Sequence, residues 1–518
     1  MTAEGLLASD FAALPDLIRA HAAERPSHPA LIEGDETLTY GALAALMDRI
    51  AFALQRDGVS SGDAVAICAR TSIPYGGAFL GILAAGGAVA LLAPSSTATS
   101  LMMMLKDSGA KVFLLDRDTA EALKETGYEK AVRRVALDES DAGEPFSQWL
   151  APEGAKPAGV SIAPDQPFNI IYSSGTTGAP KGIVQPHRMR WGHFTRVSYR
   201  GAVTVVSTPL YSNTTLVVFL PTLAHGGTAV LMPKFDAGQF LRLSEARRAT
   251  HAMLVPVQYR RIMQRDDFGQ YDLSSYVLKL STSAPFPAAL KADVLRRWPG
   301  GLVEFYGMTE GGGATALLAH EFPHKLHTVG QPMTGHDIRL IDEMGHEVAS
   351  GKVGEVVGRS EAMMTGYHNL PEKTREAEWF DAEGRRFVRT GDIGRFDEDG
   401  FLILIDRSKD VIISGGFNIY PSDIEAELVR HDAVAEAAVI GAASERWGET
   451  PVAFVALRQA AAIDGPRLMD WLNARLGKTQ RVAKLTIVDS LPRSAIGKVL
   501  KRELRDLYAR APGMPTER

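Results

Sequence analysis

Ile170-Ile171-Tyr172-Ser173-Ser174-Gly175-Thr176-Thr177-Gly178-Ala179-Pro180-Lys181-Gly182 is the stretch on which the reading of this chain turns. Its first three residues form a β-type run that feeds directly into a loop of hydroxyls and glycines closed by a lysine. Glycines let backbone N–H groups turn inward toward an anion, hydroxyls add donors, and a lysine supplies a compact positive charge. From Ser173 to Gly182 there are four hydroxyl residues, three glycines and one lysine, which predicts a loop that grips a polyphosphate rather than a polar surface turn. A Walker A loop needs Gly-Lys followed by Ser or Thr. Here Lys181 follows Pro180 and precedes Gly182, so the predicted nucleotide chemistry differs from that of the P-loop NTPases.

Outward from the loop, short apolar runs alternate with helical stretches. Asp16 to Ala23 and Leu43 to Arg56 have apolar residues at helical spacing, and Pro29–Ile32 with Thr37–Tyr40 reads as a hairpin around Gly34-Asp35. Val65–Cys68, Val112–Leu115 and Val203–Ser207 read as strands. This pattern predicts an α/β fold with largely parallel sheets. The character changes near Asp406, where the polar run Asp406-Arg407-Ser408-Lys409-Asp410 precedes a C-terminal segment of roughly 110 residues, a normal domain size. Pro421-Ser422-Asp423-Ile424-Glu425 carries a Ser-x-x-Glu capping box, predicting a helix from Ser422. The expected organisation is a large N-terminal domain of layered α/β subdomains over 1–406 and a small α+β domain over 407–518, hinged near Lys409.

The chain has 518 residues, too many for one core, and a net charge of −5, which leaves no electrostatic footprint for nucleic acid. Cys68 is the sole cysteine, excluding a disulfide framework or thiolate metal cluster. The N-terminus lacks the basic region of a signal peptide. Gly77 to Pro94 approaches membrane-spanning length, but Ala84-Ala85-Gly86-Gly87 breaks it into a buried helix and a short strand. A cytoplasmic enzyme with no integral membrane segment is expected.

The loop resembles the signature of the adenylate-forming superfamily, which includes acyl-CoA synthetases, the adenylation domains of peptide synthetases, and luciferases. Four further segments resemble its motifs in the order that family requires: Glu304-Phe305-Tyr306-Gly307-Met308-Thr309-Glu310, Arg389-Thr390-Gly391-Asp392, Asp406–Asp410 with Ser414-Gly415-Gly416, and Pro492-Arg493-Ser494-Ala495-Ile496-Gly497-Lys498. Together they span nearly the whole chain.

The resemblance implies an ATP-dependent ligase. A carboxylate attacks the α-phosphorus of ATP to give acyl-AMP and pyrophosphate, and coenzyme A then takes the acyl group. It implies that Ser173, Ser174, Gly175, Thr176, Thr177, Gly178 and Lys181 hold the β- and γ-phosphates. Thr309 would donate to the α-phosphate and Glu310 would ligate Mg²⁺, a hard cation suited to carboxylate and phosphate oxygens. Ser283, Ala284, Glu304, Phe305 and Tyr306 would line the adenine pocket, Asp392 would accept from the ribose hydroxyls, and Arg407 would reach ribose and phosphates. Lys498 would clamp the charge developing between carboxylate and α-phosphate. For the second half-reaction the family rotates its small domain, which here would pivot at Lys409 and present Ser414, Gly415 and Gly416 to the pantetheine arm.

The acyl pocket implied by resemblance falls on Tyr211, Ser212, the segment His251–Tyr259, and Gly311 and Gly312. Tyr211-Ser212 stands where many CoA ligases carry an aromatic-His pair. The run Gly311-Gly312-Gly313 is read as leaving room for a flat ring or extended chain, and those stretches offer no arginine for a second carboxylate. An aryl, phenylpropenoic or medium-chain monocarboxylic acid is expected. Loading of a carrier protein is the alternative to CoA, and a non-catalytic nucleotide sensor is a further one. The residues around Lys498 also resemble sequences modified by lysine acetyltransferases, and acetylation there would remove its charge.

Overall fold

The apolar run of residues 77–94 divides as its glycines predict, into the helix Ile73–Ala84 and the strand Ala88–Leu91. In this computed structural model the described residues are 1–127, 132–173, 180–414, 417–444, 447–459, 461, 463–477, 480–494 and 497–510. Apart from Pro74, the helix is buried along its whole length, because close approach on two sides replaces amphipathicity. A Cβ on Gly76 would meet Leu31 at 3.0 Å, and one on Gly81 would meet Ile50 at 2.4 Å. Among the described residues no helix is long and apolar enough to cross a membrane.

The chain forms two compact units, Met1–Ile338 with Gly358–Val388, and Arg339–Val357 with Arg389–Arg518. The first holds two large sheets. A nine-stranded sheet has six parallel central strands, running Gly301–Tyr306, Leu278–Ser281, His251–Leu254, Val203–Val206, Thr228–Leu231, Pro29–Glu33. The predicted hairpin pairs Pro29–Glu33 with Glu36–Thr39 antiparallel at its edge. The eight-stranded sheet sets Pro167–Ser173 parallel to Ala88–Leu91, then turns back antiparallel into Lys181–Pro186. One continuous core, including Leu31, Tyr40, Phe79, Trp149, Phe168 and Phe219, takes residues from both sheets and their helices.

The second unit includes a C-terminal sheet in which Val434–Ser444 and Gly448–Leu457 form a long hairpin, joined by Ile412–Ser414, Phe417–Ile419 and Lys484–Val488. The helix predicted from Ser422 runs Pro421–Val429, and its capping differs from the expected box. Ser422 sits inside the first turn and donates its N–H to Asp406 Oδ2 at 2.9 Å. Glu425 instead accepts from the Val439 N–H at 2.8 Å. Asp406 therefore supplies the acceptor at this helix start, because proline at the first position moves the turn one residue earlier than the Ser-x-x-Glu register requires.

Candidate active site

The strands Pro167–Ser173 and Lys181–Pro186 that flank the phosphate loop pair antiparallel, with Ser173 directly opposite Lys181. Antiparallel pairing thus brings the first hydroxyl and the lysine together at the loop's neck. Ser174, Gly175, Thr176, Thr177 and Gly178 lie outside the described residues. The Lys181 ammonium stands 4.9 Å from the centroid of the Tyr367 ring, within cation–π reach. The Tyr367 hydroxyl donates to Glu310 Oε1 at 2.9 Å, which links the loop lysine to the expected magnesium carboxylate through one aromatic side chain. Burial, with the Glu310 charge beside it, raises the Tyr367 phenol and keeps it protonated as a donor. Tyr367 reaches this place because Gly366–Tyr367 pairs with Ile183 and Val184. Sequence reading missed it, since a Gly-Tyr pair carries no local signal.

The turn bearing Thr309 and Glu310 is held from behind. Gln185 Nε2 donates to the Thr309 carbonyl at 2.6 Å, and the Glu310 carbonyl accepts from the Met364 N–H at 2.8 Å. Asn169 donates to Gln185 Oε1 at 2.9 Å, and fully buried Arg190 donates to Asn169 Oδ1 at 3.0 and 3.1 Å and also to Gln185 Oε1. This buried polar chain was not legible because its members sit on two strands and a helix. Gln185→Leu is expected to leave donors of Asn169 and Arg190 unmet, costing about 1–3 kcal/mol. Thermal unfolding checks the loss, and a several-fold rise in KM for MgATP checks the slackened turn.

Ser283 follows the carboxyl end of Leu278–Ser281 and Tyr306 ends the neighbouring parallel strand Gly301–Tyr306, at the edge where open α/β sheets bind ligands. Ser283 has φ +80°, a conformation that non-glycine residues rarely hold, and its hydroxyl lies 2.6 Å from that of Thr214. Thr214 opens the helix Asn213–Ala224 beside Tyr211 and Ser212, so it ties the expected acyl segment to the expected adenine segment. Ala284 follows Ser283 directly and is partly exposed. Tyr211 itself packs on the main core.

Three expected residues are placed differently. Glu304 points its carboxylate into a buried ion pair with Lys291, both almost fully enclosed, rather than toward a nucleotide. Burial pushes this carboxyl up to about 7 against the opposing pull of Lys291. Lys291→Met is expected to cost about 3–5 kcal/mol by stranding the acid, and the double replacement with Glu304→Leu should recover most of it in thermal unfolding. Phe305, on the opposite face of its strand from Glu304, joins the cluster of Tyr199, Met253 and Leu280. His251 begins its strand, at the edge opposite Ser281 and Ser283, and packs on Tyr199 at 5.1 Å.

The glycines after Glu310 are explained by backbone approach. Gly311 and Gly312 have φ of +74° and +89°. A Cβ on Gly311 would come within 2.0 Å of the Ala362 carbonyl, and one on Gly313 within 2.9 Å of Gly358 Cα. On the side where side chains would project, the space is filled by the chain, not left open for an acid.

In the second unit, Asp392 and Arg407 are cross-strand partners, with Arg407 Nε 3.1 Å from Asp392 Oδ1. The Asp392 N–H donates to Thr390 Oγ1 at 3.0 Å, and that hydroxyl donates to the Val356 carbonyl at 2.7 Å. Lys498 follows Gly497, whose φ of +78° lets the chain reverse. Ser494 N–H donates to the Lys498 carbonyl at 2.8 Å, and Arg493 donates to the Gly497 carbonyl at 2.6 Å and to Glu436 at 2.8 Å. Burial pushes the Lys498 ammonium down to about 8, helped by Arg407 and Lys409 and opposed by Asp392 and Asp410. Lys409 lies in the 3₁₀ turn Ser408–Asp410. Ser414 pairs with Phe417, and Gly415 and Gly416 lie outside the described residues.

Residues 18–368 match the AMP-binding enzyme family, and residues 423–498 match the AMP-binding enzyme C-terminal domain. The chain belongs to this family. It is 34% identical over 495 residues to a feruloyl-CoA synthase of Amycolatopsis sp, covering 93% of this chain and 96% of that protein. It is 32% identical over 502 residues to the fatty acid–[acyl-carrier-protein] ligase ScoC of Streptomyces coeruleorubidus, covering 94% and 95%. Among solved structures, ATP-bound MatB from Rhodopseudomonas palustris matches with TM-score 0.84 at 28% identity, over 96% of this chain and 99% of that one. The o-succinylbenzoate CoA synthetase of Bacillus subtilis with its acyl-adenylate matches with TM-score 0.82 at 26% identity, over 95% and 98%. The large N-terminal and small C-terminal domains read from the sequence agree with these family members.

Proposed function

We propose that this protein is an ATP-dependent carboxylic acid–CoA ligase acting through an acyl-adenylate. Its first step takes acid and ATP to acyl-AMP and pyrophosphate, and its second takes acyl-AMP and CoA to acyl-CoA and AMP. The observation that carries this reading is the Lys181–Tyr367–Glu310 chain at the neck of the hydroxyl-rich loop. It brings a cation and a carboxylate to the neck of the loop, charges suited to a triphosphate and to its metal.

Ser173 to Gly178 and Lys181 hold the leaving pyrophosphate. Thr309 donates to the α-phosphate, and Ser283, Ala284 and Tyr306 bound the adenine. Asp392 takes the ribose hydroxyls with Arg407 beside it, and Lys498 stabilises charge at the forming C–O–P bond. The donor set fits Mg²⁺. Among the described residues no group of three or more His, Cys, Asp or Glu is placed to hold a metal, whereas one carboxylate plus substrate phosphates is a usual magnesium arrangement. Bound there by Glu310, the ion would neutralise phosphate charge. Lys409 is the proposed hinge between domains 1–406 and 407–518, and Ser414, Gly415 and Gly416 are the proposed segment for CoA. The acid is an aryl, phenylpropenoic or medium-chain monocarboxylate, the phenylpropenoic class being supported by the feruloyl-CoA synthase likeness. The cytoplasm, where ATP and CoA are at hand, is the proposed compartment, and acetylation of Lys498 is the proposed control.

A pyrophosphate-release screen over carboxylic acids, with and without CoA, tests the reading. Acid-dependent release followed by thioester and AMP supports it. Transfer to a carrier protein but not to CoA would replace the acceptor, an outcome that the ScoC likeness makes specific. ATP binding without acid-dependent release would leave only a nucleotide sensor.

A further inference from the structure

Tyr172, Gly182 and His368 meet on one side of the loop's neck. Tyr172 pairs with Gly182, and the His368 N–H donates to the Gly182 carbonyl at 2.7 Å. Side chains alternate along a strand, so Ser173, Lys181 and Tyr367 belong to the other side. A Cβ on Gly182 would meet Tyr172 Cε1 at 3.1 Å and His368 Cβ at 3.2 Å, so the glycine lets those two side chains close over it. Asp107, in the last turn of the helix Ala98–Ser108, ties this side together. Its Oδ2 accepts the Tyr172 hydroxyl at 2.8 Å, and its Oδ1 and carbonyl accept from Asn369 Nδ2 at 3.3 and 3.2 Å. The His368 Nδ1 lies 3.4 Å from Asp107 Oδ2 and 3.0 Å from Asn369 Nδ2. Burial, with the Asp107 carboxylate beside it, raises the Tyr172 phenol and keeps it a donor.

Each member of this cluster is the chain neighbour of a residue on the front of the neck. Tyr172 precedes Ser173, Gly182 follows Lys181, and His368 follows Tyr367. Movement at the back therefore turns the front, where Lys181 faces the Tyr367 ring and the Tyr367 hydroxyl holds Glu310. The side chains of Asp107 and His368 are 27% and 28% exposed, so the cluster sits at a rim where apolar packing alone does not fix the strands. A hydrogen bond to a carboxylate is about twice as strong as a neutral one, which suits it to that place. The cluster gathers around the two residues, Lys181 and Tyr367, that follow the β- and γ-phosphate end of the expected nucleotide. Nothing in it reaches toward the adenine segment at Ser283 or toward Tyr211.

We propose that Asp107 is a positioning residue for the pyrophosphate end of ATP. It clasps the back of the neck through Tyr172 and Asn369, so that Lys181 and Tyr367 keep one geometry on the front. The proposal rests on the ligase reading, which gives this neck the β- and γ-phosphates. It confines the effect of Asp107 to those phosphates and excludes one on the nucleoside.

The test compares two nucleotides by calorimetry on the full-length protein: the magnesium complex of a non-hydrolysable β,γ-methylene ATP analogue, and AMP. AMP lacks the two phosphates that the neck would hold. Asp107→Ala should weaken the analogue about tenfold and AMP by less than about twofold, the loss of a charge-assisted hydrogen bond being felt at the phosphates alone. Tyr172→Phe keeps the ring and removes the donor, and should weaken the analogue about threefold. Asp107→Asn keeps an oxygen for the Tyr172 hydroxyl and should fall between wild type and Asp107→Ala. Adding Tyr172→Phe to Asp107→Ala should cost nothing more, because the two residues share one bond. If Asp107→Ala shows no cooperative thermal unfolding, Tyr172→Phe decides. Equal weakening of both nucleotides would show that Asp107 serves only the fold and would overturn the proposal, as would an unchanged affinity for the analogue. Neither outcome touches the ligase reading, which fails instead if the wild-type protein binds the analogue but releases pyrophosphate with none of many acids.

Discussion

Lys498→Ala is expected to lower acid-dependent pyrophosphate release by about 10²–10³-fold, the scale seen when one preorganised donor to a developing charge is removed. Conversion of a supplied acyl-adenylate and CoA to thioester should change by less than about threefold, because the family's second half-reaction proceeds with this lysine withdrawn. The lysine is suited to the first step by its setting. Its turn is closed by Ser494 and braced by Arg493 against Glu436, so the side chain starts from a defined place. Burial, with Arg407 and Lys409 nearby, holds its ammonium at about 8. The sign of the pH dependence follows: the ammonium is populated below that value and is lost as pH rises through it. Wild-type adenylation should therefore fall above about pH 8, and the residual rate of Lys498→Ala should lack that limb. A pH profile of pyrophosphate release in both proteins checks it. An unchanged rate in the variant would remove Lys498 from the chemistry, and the acetylation proposal would go with it.

The second large effect is expected at Glu310. Glu310→Gln keeps an oxygen for the Tyr367 hydroxyl, now at 2.9 Å, but removes the negative charge. If that charge ligates Mg²⁺, the magnesium concentration for half-maximal rate should rise about tenfold or more, and the saturated rate should fall by on the order of 100-fold. Tyr367→Phe is the control. It removes one hydrogen bond and keeps the ring that Lys181 faces, so its effect should be several-fold at most. A magnesium titration of pyrophosphate release separates the two. If Glu310→Gln and Tyr367→Phe respond alike, the carboxylate only anchors the tyrosine.

The candidate residues are displayed in residue order: the hydroxyl-glycine loop, Thr309-Glu310, Thr390-Gly391-Asp392 and Gly497-Lys498 each lie within a few neighbouring residues. The same holds for the strand that leads into Ser173 and for the break in the apolar run near Gly86. The readings that failed asked local sequence to report distant packing. Gly311 and Gly312 looked like space for an acid, yet Ala362 and Gly358 from another segment fill that side. Glu304 looked like a pocket residue inside a motif, yet Lys291 on the preceding helix claims it.

By itself, then, the sequence determined the α/β layering and displayed the hydroxyl-glycine loop and the ordered set of charged groups. Turn chemistry, apolar periodicity and short motifs act over a few residues, and the chain displays them in order. Tertiary structure alone decided that Tyr367 stands between Lys181 and Glu310 and that Gln185 holds Thr309. Those contacts depend on strand register and on one helix face meeting one loop, and a shift of a single residue in register would turn each side chain to the other face.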